Sequence, residues 1–281
     1  MRRVQSHRFG SVLLAFGLLA FSLHAFAAEL TIVLGATPQK LDSRQLLARA
    51  DVATITIPVD VAYHRTMHYR AVPLAALLKD VAATDHLQFV ARDGFAAEMD
   101  ARLVLGTSGA TAWLAIEDPA TPWPALGPGK PGAGPFYLVW THPEAAGINP
   151  EQWPYQIATI KRLDALESRY PALLPDAKLP ADGPAWRGFA VFRSRCLACH
   201  TLNGAGDARI GPDLNRPHNP TEYFRPGFLR AYIRDPQSLR HWPQAKMPAS
   251  DHATLSDAQL DDLLVYLQHM ATRKTPPGDT P

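Results

Sequence analysis

The stretch RSRCLACHTLNG, from Arg193 to Gly204, contains both cysteines of the 281-residue chain. Cys196 and Cys199 stand three positions apart, and His200 follows at once. A disulfide, a redox-active dithiol and a zinc site all use closely spaced cysteines, and each makes its own demand on the flanking sequence. The surrounding residues therefore decide which chemistry the two thiols serve.

Two of these three interpretations fit the sequence poorly. A zinc site needs further ligands, and the chain has no other cysteine. A thioredoxin-like dithiol needs a strand before the first cysteine, whereas WRGFAVFRSR has helical periodicity. A disulfide remains compatible with an exported chain.

A fourth interpretation, covalent haem attachment, explains both the cysteine spacing and the histidine. Two thiols three positions apart on a helical turn point the same way, so each can add to one vinyl group of a haem. His200 then lies under the porphyrin and can bind the iron. The sequence favours this interpretation over the disulfide.

A six-coordinate haem also needs a ligand on its second face. Downstream of His200 the candidates are Met247, Met270, His218, His241, His252 and His269. Met247 stands in QAKMPAS, an irregular segment between two predicted helices that can fold over the haem. Met270 fits better as a core residue, and most of the histidines stand in polar loops. Met247 is the predicted second axial ligand.

Residues 184–273 resemble a class I, mono-haem cytochrome c domain. The resemblance is carried by GFAVFRSRCLACH, IGPDLN, FLRAYIRDP, KMP and LSDAQLDDLLVYL, in that order. It implies an all-α fold whose first and last helices cross, where Gly188 and Phe192 meet Leu263 and Tyr266. It also implies that the carbonyl of Pro212 accepts a hydrogen bond from the proximal histidine, here His200.

The N-terminus has the composition of a secretory signal peptide, residues 1–27. A basic start precedes an apolar run too short to span a bilayer comfortably, and Ala25 and Ala27 give a small-x-small cleavage pattern. An uncleaved anchor is the alternative. Cleavage near Ala27 removes three arginines and no acid, so the formal net charge falls from +2 to −1. We therefore expect a periplasmic protein with no nucleic-acid partner and no stable membrane span.

The rest of the chain divides into regions that differ in composition and in predicted secondary structure. Residues 28–169 predict an α+β domain with a mostly β core. Its predicted strands are LTIVLG, VATITI, LQFVAR, WLAIED, FYLVW and YQIATIKRL, and ARDGFAAEMD is predicted to form a hairpin with its turn at Asp93-Gly94. Its predicted helices are DSRQLLAR and PLAALLKDV. Residues 170–184 form a Pro-rich linker, 185–273 the cytochrome domain and 274–281 a flexible tail.

The N-terminal region resembles, more weakly, the molybdopterin-binding domain of the sulfite-oxidase fold. The shared features are VPLAALL, the turn DGF, and a GP followed by the β run FYLVW. In that family a cysteine thiolate binds molybdenum, but both cysteines here are assigned to haem. The resemblance therefore implies a domain that binds a partner or small molecule, with no molybdenum cofactor.

Together these observations predict a periplasmic cytochrome that carries single electrons through one covalent His/Met-ligated haem. The N-terminal domain would dock a redox partner such as a dehydrogenase or terminal oxidase. The alternative is a fused oxidoreductase whose N-terminal domain oxidises a small substrate, such as a sulfur oxyanion. Catalytic residues are not assigned, and His64 and His68 are interpreted as loop or surface histidines rather than metal ligands.

Overall fold

The computed structural model describes residues 27–106, 108–225 and 227–275, and the predicted signal peptide lies outside this part except for Ala27. The strands are β1 (Glu29–Val33), β2 (Gln39–Asp42), β3 (Ala53–Ile57), β4 (Met67–Pro73), β5 (His86–Ala91), β6 (Ala96–Asp100), β7 (Thr111–Ile116), β8 (Phe136–Thr141) and β9 (Ile157–Leu163). The α-helices are α1 (Ser43–Leu47), α2 (Ala101–Val104), α3 (Leu166–Arg169), α4 (Pro184–Arg195), α5 (Pro220–Tyr223), α6 (Phe228–Arg234), α7 (Pro236–Leu239) and α8 (Asp257–Ala271). Short 3-10 helices cover Leu74–Leu77, Pro143–Ala146, Pro150–Gln152 and Pro171–Leu173.

The strands form two sheets, in the orders β2-β1-β9-β5-β6 and β3-β4-β7-β8. Strands β1 and β9 pair in parallel, and the other pairs are antiparallel. Large side chains from both sheets fill one core, among them the fully buried Tyr69, Phe89, Tyr137 and Trp140. A sheet-rich N-terminal region and a helical C-terminal region are thus both present, as predicted.

The strand predictions held where apolar and β-branched residues were dense. All six predicted strands exist, as β1, β3, β5, β7, β8 and β9, and β6 is the second arm of the predicted ARDGFAAEMD hairpin. Two strands were missed: β2, whose QKLD is polar and pairs only with β1, and β4, which ends at Pro73. Because Pro73 closes β4, the predicted helix PLAALLKDV is only the 3-10 turn Leu74–Leu77, a correction to the sequence interpretation.

Helices α4 and α8 cross in the C-terminal region, as the family resemblance implies. A Cβ on Gly188 would lie 2.0 Å from the carbonyl oxygen of Asp262, so only glycine permits this approach. Phe192 packs on Tyr266 with ring centroids 5.3 Å apart. Ser256 caps α8 by accepting a hydrogen bond from Gln259 N. The crossing builds a second core that lies beside the haem-attachment motif.

The first half of the Pro-rich stretch packs against this second core. Leu173 is fully buried, and its carbonyl accepts a 2.7 Å hydrogen bond from Tyr266 Oη on α8. The amide of Asp176 donates to Nε2 of His269. Residues 170–176 therefore run along the cytochrome helices, although the predicted domain boundaries remain a prediction.

In the described residues, no helix combines the length and apolar character needed to cross a bilayer.

Candidate functional site

The two cysteines and the histidine occupy one turn at the end of α4. Cys196 caps the helix, and its amide donates to Phe192 O at 2.8 Å. The amides of Cys199 and His200 both donate to Cys196 O, at 3.0 and 2.9 Å. The helical turn thus continues past the last helical residue and gathers all three side chains in a compact segment.

His200 is oriented by the segment IGPDLN. Its Nδ1 lies 2.9 Å from the carbonyl oxygen of Pro212, which is the contact implied by the family resemblance. The imidazole lies so close to Gly211 that an added Cβ there would come within 2.5 Å of the ring. The amide of Gly211 donates to Cys199 O at 2.7 Å. Since Nδ1 is engaged with a carbonyl, Nε2 is the nitrogen left to bind a metal.

Asp213 and a buried asparagine row hold this segment in place. The carboxylate of Asp213 accepts hydrogen bonds from Thr201 Oγ1 and from the amides of Asn203, Gly204, Asn215 and Arg216. Asn215 and Asn219, both fully buried, donate to the carbonyls of Met270 and Leu267 on α8. These bonds tie the loop that carries Pro212 to the last helix.

Burial governs the protonation of the site. It lowers the pKa of His200, although the Pro212 carbonyl and Asp213 oppose the shift, so the neutral imidazole that binds metals is favoured. Burial also raises the pKa of Cys196 and Cys199 to about 12, so both thiols are protonated near neutral pH. Neither cysteine forms a disulfide in this structure.

The candidates for the second axial ligand differ in how deeply their side chains are buried. Met270 is buried in the second core, as predicted, and His218 and His252 have side chains more than two-thirds exposed. Met247 is half-buried in the irregular segment between α7 and α8 and packs against the second core. Met247 therefore stays the candidate loop ligand, and its bond to iron remains a prediction.

The N-terminal domain packs directly on the attachment turn. The amide of Ala96 on β6 donates to the carbonyl of Ala198, one of the two residues between the site cysteines, at 3.0 Å. The amide of Arg209 donates to Gly94 O in the β5–β6 turn at 3.1 Å. The DG turn predicted from the sequence therefore touches the site, a contact that sequence reasoning did not anticipate.

Charged side chains reinforce this contact in three clusters, which we call the interdomain brace. Arg169 pairs with Glu98 and with Asp207, Arg193 pairs with Asp100 and Glu167, and Arg195 pairs with Glu151. Asp207 also accepts hydrogen bonds from Gln88 and Tyr170. Arginines are common near helix C-termini because they interact favourably with the helix dipole. The sequence positions of Arg193 and Arg195 in the last turn of α4 therefore did not indicate these ion pairs.

The residues present fit a covalently bound haem. Cys196 and Cys199 are free thiols on one turn, and His200 has Nδ1 oriented by a carbonyl. The described part of the C-terminal region also exposes large aromatic side chains, among them Tyr223, Phe228 and Trp242. Free paired thiols and an imidazole oriented by a carbonyl are the features that a covalently attached c-type haem requires.

The comparisons with known proteins agree with this class. Residues 185–271 match the family model described as cytochrome c. Two curated proteins named cytochrome c are similar: one from Theileria annulata is 38% identical over 53 residues, and one from Theileria parva is 40% identical over 40 residues. The alignments cover 17% and 14% of this chain and 45% and 34% of those proteins. The C-terminal part of the chain is therefore a cytochrome c domain, which implies covalent haem c and electron transfer.

A solved structure is also similar over part of the chain. It is the crystal structure of the sulfane dehydrogenase SoxCD from Paracoccus pantotrophus, at 18% identity and a TM-score of 0.35, covering 54% of this chain and 42% of that chain. A likeness at this level carries no argument about function. The sulfite-oxidase-like fold of residues 28–169 remains a prediction.

The N-terminal domain offers no metal-ligand cluster in the parts of the chain that the structure describes. His64 and His68 are both exposed, as expected of loop or surface histidines, and His68 Nδ1 lies 2.9 Å from Thr56 Oγ1 on the neighbouring strand.

Proposed function

We propose that the chain is an exported electron carrier with one covalent haem c. Cys196 and Cys199 hold the haem, and His200 and Met247 bind its iron. The protein works in the periplasm after its signal peptide is cleaved near Ala27. When bound, the haem supplies an iron that alternates between Fe(III) and Fe(II).

The observation that carries the proposal is the orientation of His200. Pro212 O engages Nδ1 at 2.9 Å, and no hydrogen bond to Nε2 is found among the described residues. Such an outer contact fixes the tautomer and directs the free nitrogen to the metal. With His200 and Met247 on the two faces, the iron has no open position for a substrate. Electron transfer is therefore favoured over catalysis at the haem.

The N-terminal domain is proposed to dock a redox partner, such as a dehydrogenase or a terminal oxidase. It lies against the attachment turn through Ala96 and the interdomain brace, so a protein bound to it is held near the haem. Since both thiols are assigned to haem, the domain has no thiolate for molybdenum, and we propose that it holds no molybdenum cofactor.

The attachment site is tested by removing the thiols. Cys196→Ser leaves a single thioether, and the double variant Cys196→Ser/Cys199→Ser loses all covalent haem. Denaturing electrophoresis with haem staining and intact mass measure both. Covalent haem in the double variant would refute the site.

The second ligand is tested by replacing Met247. A thioether–iron bond gives ferric cytochromes a near-infrared charge-transfer band, and Met247→His should abolish it and lower the reduction potential. Met99→Leu, a buried change of similar volume in the N-terminal domain, is the control and should leave the band intact. Persistence of the band in Met247→His would assign the iron to another methionine.

A second candidate function is a fused oxidoreductase, and one observation favours it. The N-terminal domain has an open cleft of about 470 Å³ lined by Arg49, Lys79, Arg162 and Asp80, among others. Arg49 pairs with Asp51 and Arg162 with Asp85, so Lys79 is the basic side chain of this cleft without an ion pair among the described residues. A small anion, for example a sulfur oxyanion, could bind there. Metal analysis of the purified protein separates the two functions. Iron alone supports the carrier, and stoichiometric molybdenum or copper supports the oxidoreductase.

A further inference from the structure

One ion pair of the interdomain brace stands out because it joins the N-terminal domain to the residue before the first haem cysteine. Arg195 Nη1 lies 3.0 Å from Glu151 Oε2, and both side chains are less than a fifth exposed. Arg195 directly precedes Cys196 in the chain. A carboxylate from one domain is thus buried beside the haem-attachment turn of the other.

The position of Glu151 is set by its own turn. It lies in the 3-10 helix Pro150–Gln152, whose cap Asn149 accepts a hydrogen bond from the Glu151 amide at 3.0 Å. The side-chain amide of Asn149 also donates to Ser194 O at the end of α4, at 3.4 Å. The same residue therefore positions Glu151 and fastens its turn to the helix that leads into the site.

The charge of Glu151 reaches both cysteine sulfurs. After burial, it contributes most to raising the pKa of Cys196 and of Cys199. Arg195 opposes it weakly at Cys196, Asp93 adds to it at Cys199, and Lys246 opposes it there. Glu151 is thus the charged group that acts most on the two sulfurs. Burial raises the pKa of Glu151 itself, and the charge of Arg195 opposes that shift and favours the ionised carboxylate.

The charge of Glu151 would affect the balance between the ferric and ferrous forms of a haem bound at the two sulfurs. Ferric haem carries one more positive charge than ferrous haem, so a nearby carboxylate stabilises the ferric form. Burial keeps the interaction strong, because salt screens buried charges far less than exposed ones. Charge near a redox centre is one of the means by which a protein sets its potential.

We propose that Glu151 of the N-terminal domain lowers the reduction potential of the haem in the cytochrome domain, with Arg195 holding its carboxylate in position. The inference rests on the proposed function, since it requires a haem at Cys196 and Cys199. The N-terminal domain would then have a second role besides docking. By packing against the cytochrome domain it would set the reduction potential of the haem, and so the driving force for electron transfer. No bond forms or breaks, and one electron enters or leaves the haem in either form.

The test is a spectroelectrochemical titration of the full-length haem protein at neutral pH. Glu151→Gln should move the midpoint to a more positive potential, where about 59 mV corresponds to a tenfold change in the Fe(II)/Fe(III) ratio of a one-electron couple. The control is Glu144→Gln, a neighbouring glutamate whose side chain is 75% exposed, and it should leave the midpoint unchanged. The shift should persist when the salt concentration is raised.

A second variant keeps the proposal testable if Glu151→Gln fails to fold. Glu151→Gln leaves Arg195 buried without its partner, whereas Glu151→Gln/Arg195→Gln places two neutral side chains there. Because Arg195 opposes Glu151, the double variant should show a smaller positive shift than the single variant. A midpoint equal to wild type in the folded variants would overturn the proposal. Loss of haem from both variants would also overturn it, since the pair would then be structural.

The proposed function fails separately from this inference. If wild-type protein carries no covalent haem, the carrier function is wrong before any potential is measured. If wild type carries the haem and only the shift is missing, the carrier function stands and the role of Glu151 does not.

Discussion

The two halves of the molecule express their chemistry in opposite ways. In the cytochrome domain the decisive residues stand close together in sequence: Cys196, Cys199 and His200 share one turn, and Pro212 follows within the next loop. The N-terminal domain has the larger core but no cluster of metal-binding side chains among its described residues. Covalent haem chemistry demands a fixed local spacing, which a sequence displays, whereas docking and tuning depend on contacts between distant segments.

The largest expected loss of stability comes from removing the ion pairs of Arg169, which lie where the two halves meet. Arg169 pairs with the buried Glu98 of β6 and lies 3.0 Å from Asp207 in the cytochrome domain. Burial outweighs the attraction of Arg169 and raises the pKa of Glu98. When Arg169 is replaced, we therefore expect the Glu98 carboxylate to take up a proton rather than stay charged. We therefore expect Arg169→Met to cost about 3 kcal/mol, the low end for breaking a buried pair.

Chemical denaturation followed by circular dichroism measures this loss. Lys40→Met is the control, because the Lys40–Glu29 pair is more than half exposed on both sides and should be worth about 0–1 kcal/mol. Equal small losses in both variants would mean that the brace does not join the domains in solution.

A somewhat smaller effect is confined to the cytochrome domain. A Cβ on Gly188 meets the backbone of α8, which cannot move aside as a flexible side chain would. Gly188→Ala should therefore lower the free energy of unfolding by about 2–3 kcal/mol through overpacking. Gly35→Ala, where a Cβ meets nothing within 4 Å, should have little effect. Thermal unfolding compares the two, and a tolerated Gly188→Ala would contradict the observed helix crossing.

The smallest expected effect is a pH dependence at the domain contact. Burial tends to raise the pKa of Asp207, but hydrogen bonds from Gln88 and Tyr170 and the charge of Arg169 outweigh it and lower the pKa. A lowered folded pKa gives stability that is present above the unfolded value, about 3.9, and is lost as the pH falls through the folded value. Because the carboxylate is about a third exposed, we expect roughly 1 kcal/mol.

Unfolding measured between neutral and acid pH separates this contribution from the others. Asp207→Asn should be less stable than wild type at neutral pH, and the difference should shrink as the pH falls below about 4. A constant difference at all pH values would show that the ionised form of Asp207 is not the source of the stability.

How far the sequence predicts the structure follows the same division. The attachment turn and the capping of α8 by Ser256 depend on local spacing, whereas the α4–α8 crossing at Gly188 is what the family resemblance implies. Each of the three is present. The six predicted strands share dense β-branched and aromatic residues, whereas β2 lacks them and β4 ends in proline.

The contacts between domains had no sequence signature. Arg195 and Glu151 are separated by 44 positions, and each reads as an ordinary surface residue until the fold brings them together. The β5–β6 turn was predicted as a hairpin from Asp93-Gly94, but its contact with Arg209 depends on how two domains pack. Pairings of this kind are decided by tertiary structure, which local patterns do not encode.

The central claim is that Cys196 and Cys199 carry one haem on an exported chain. Its most direct test is intact-mass measurement with metal analysis on protein purified from the periplasm of cells that mature c-type cytochromes. The account predicts a chain that begins near Ala28, one covalently bound haem and one iron per chain. A chain of unmodified mass, with its two cysteines free or joined as a disulfide, would contradict it.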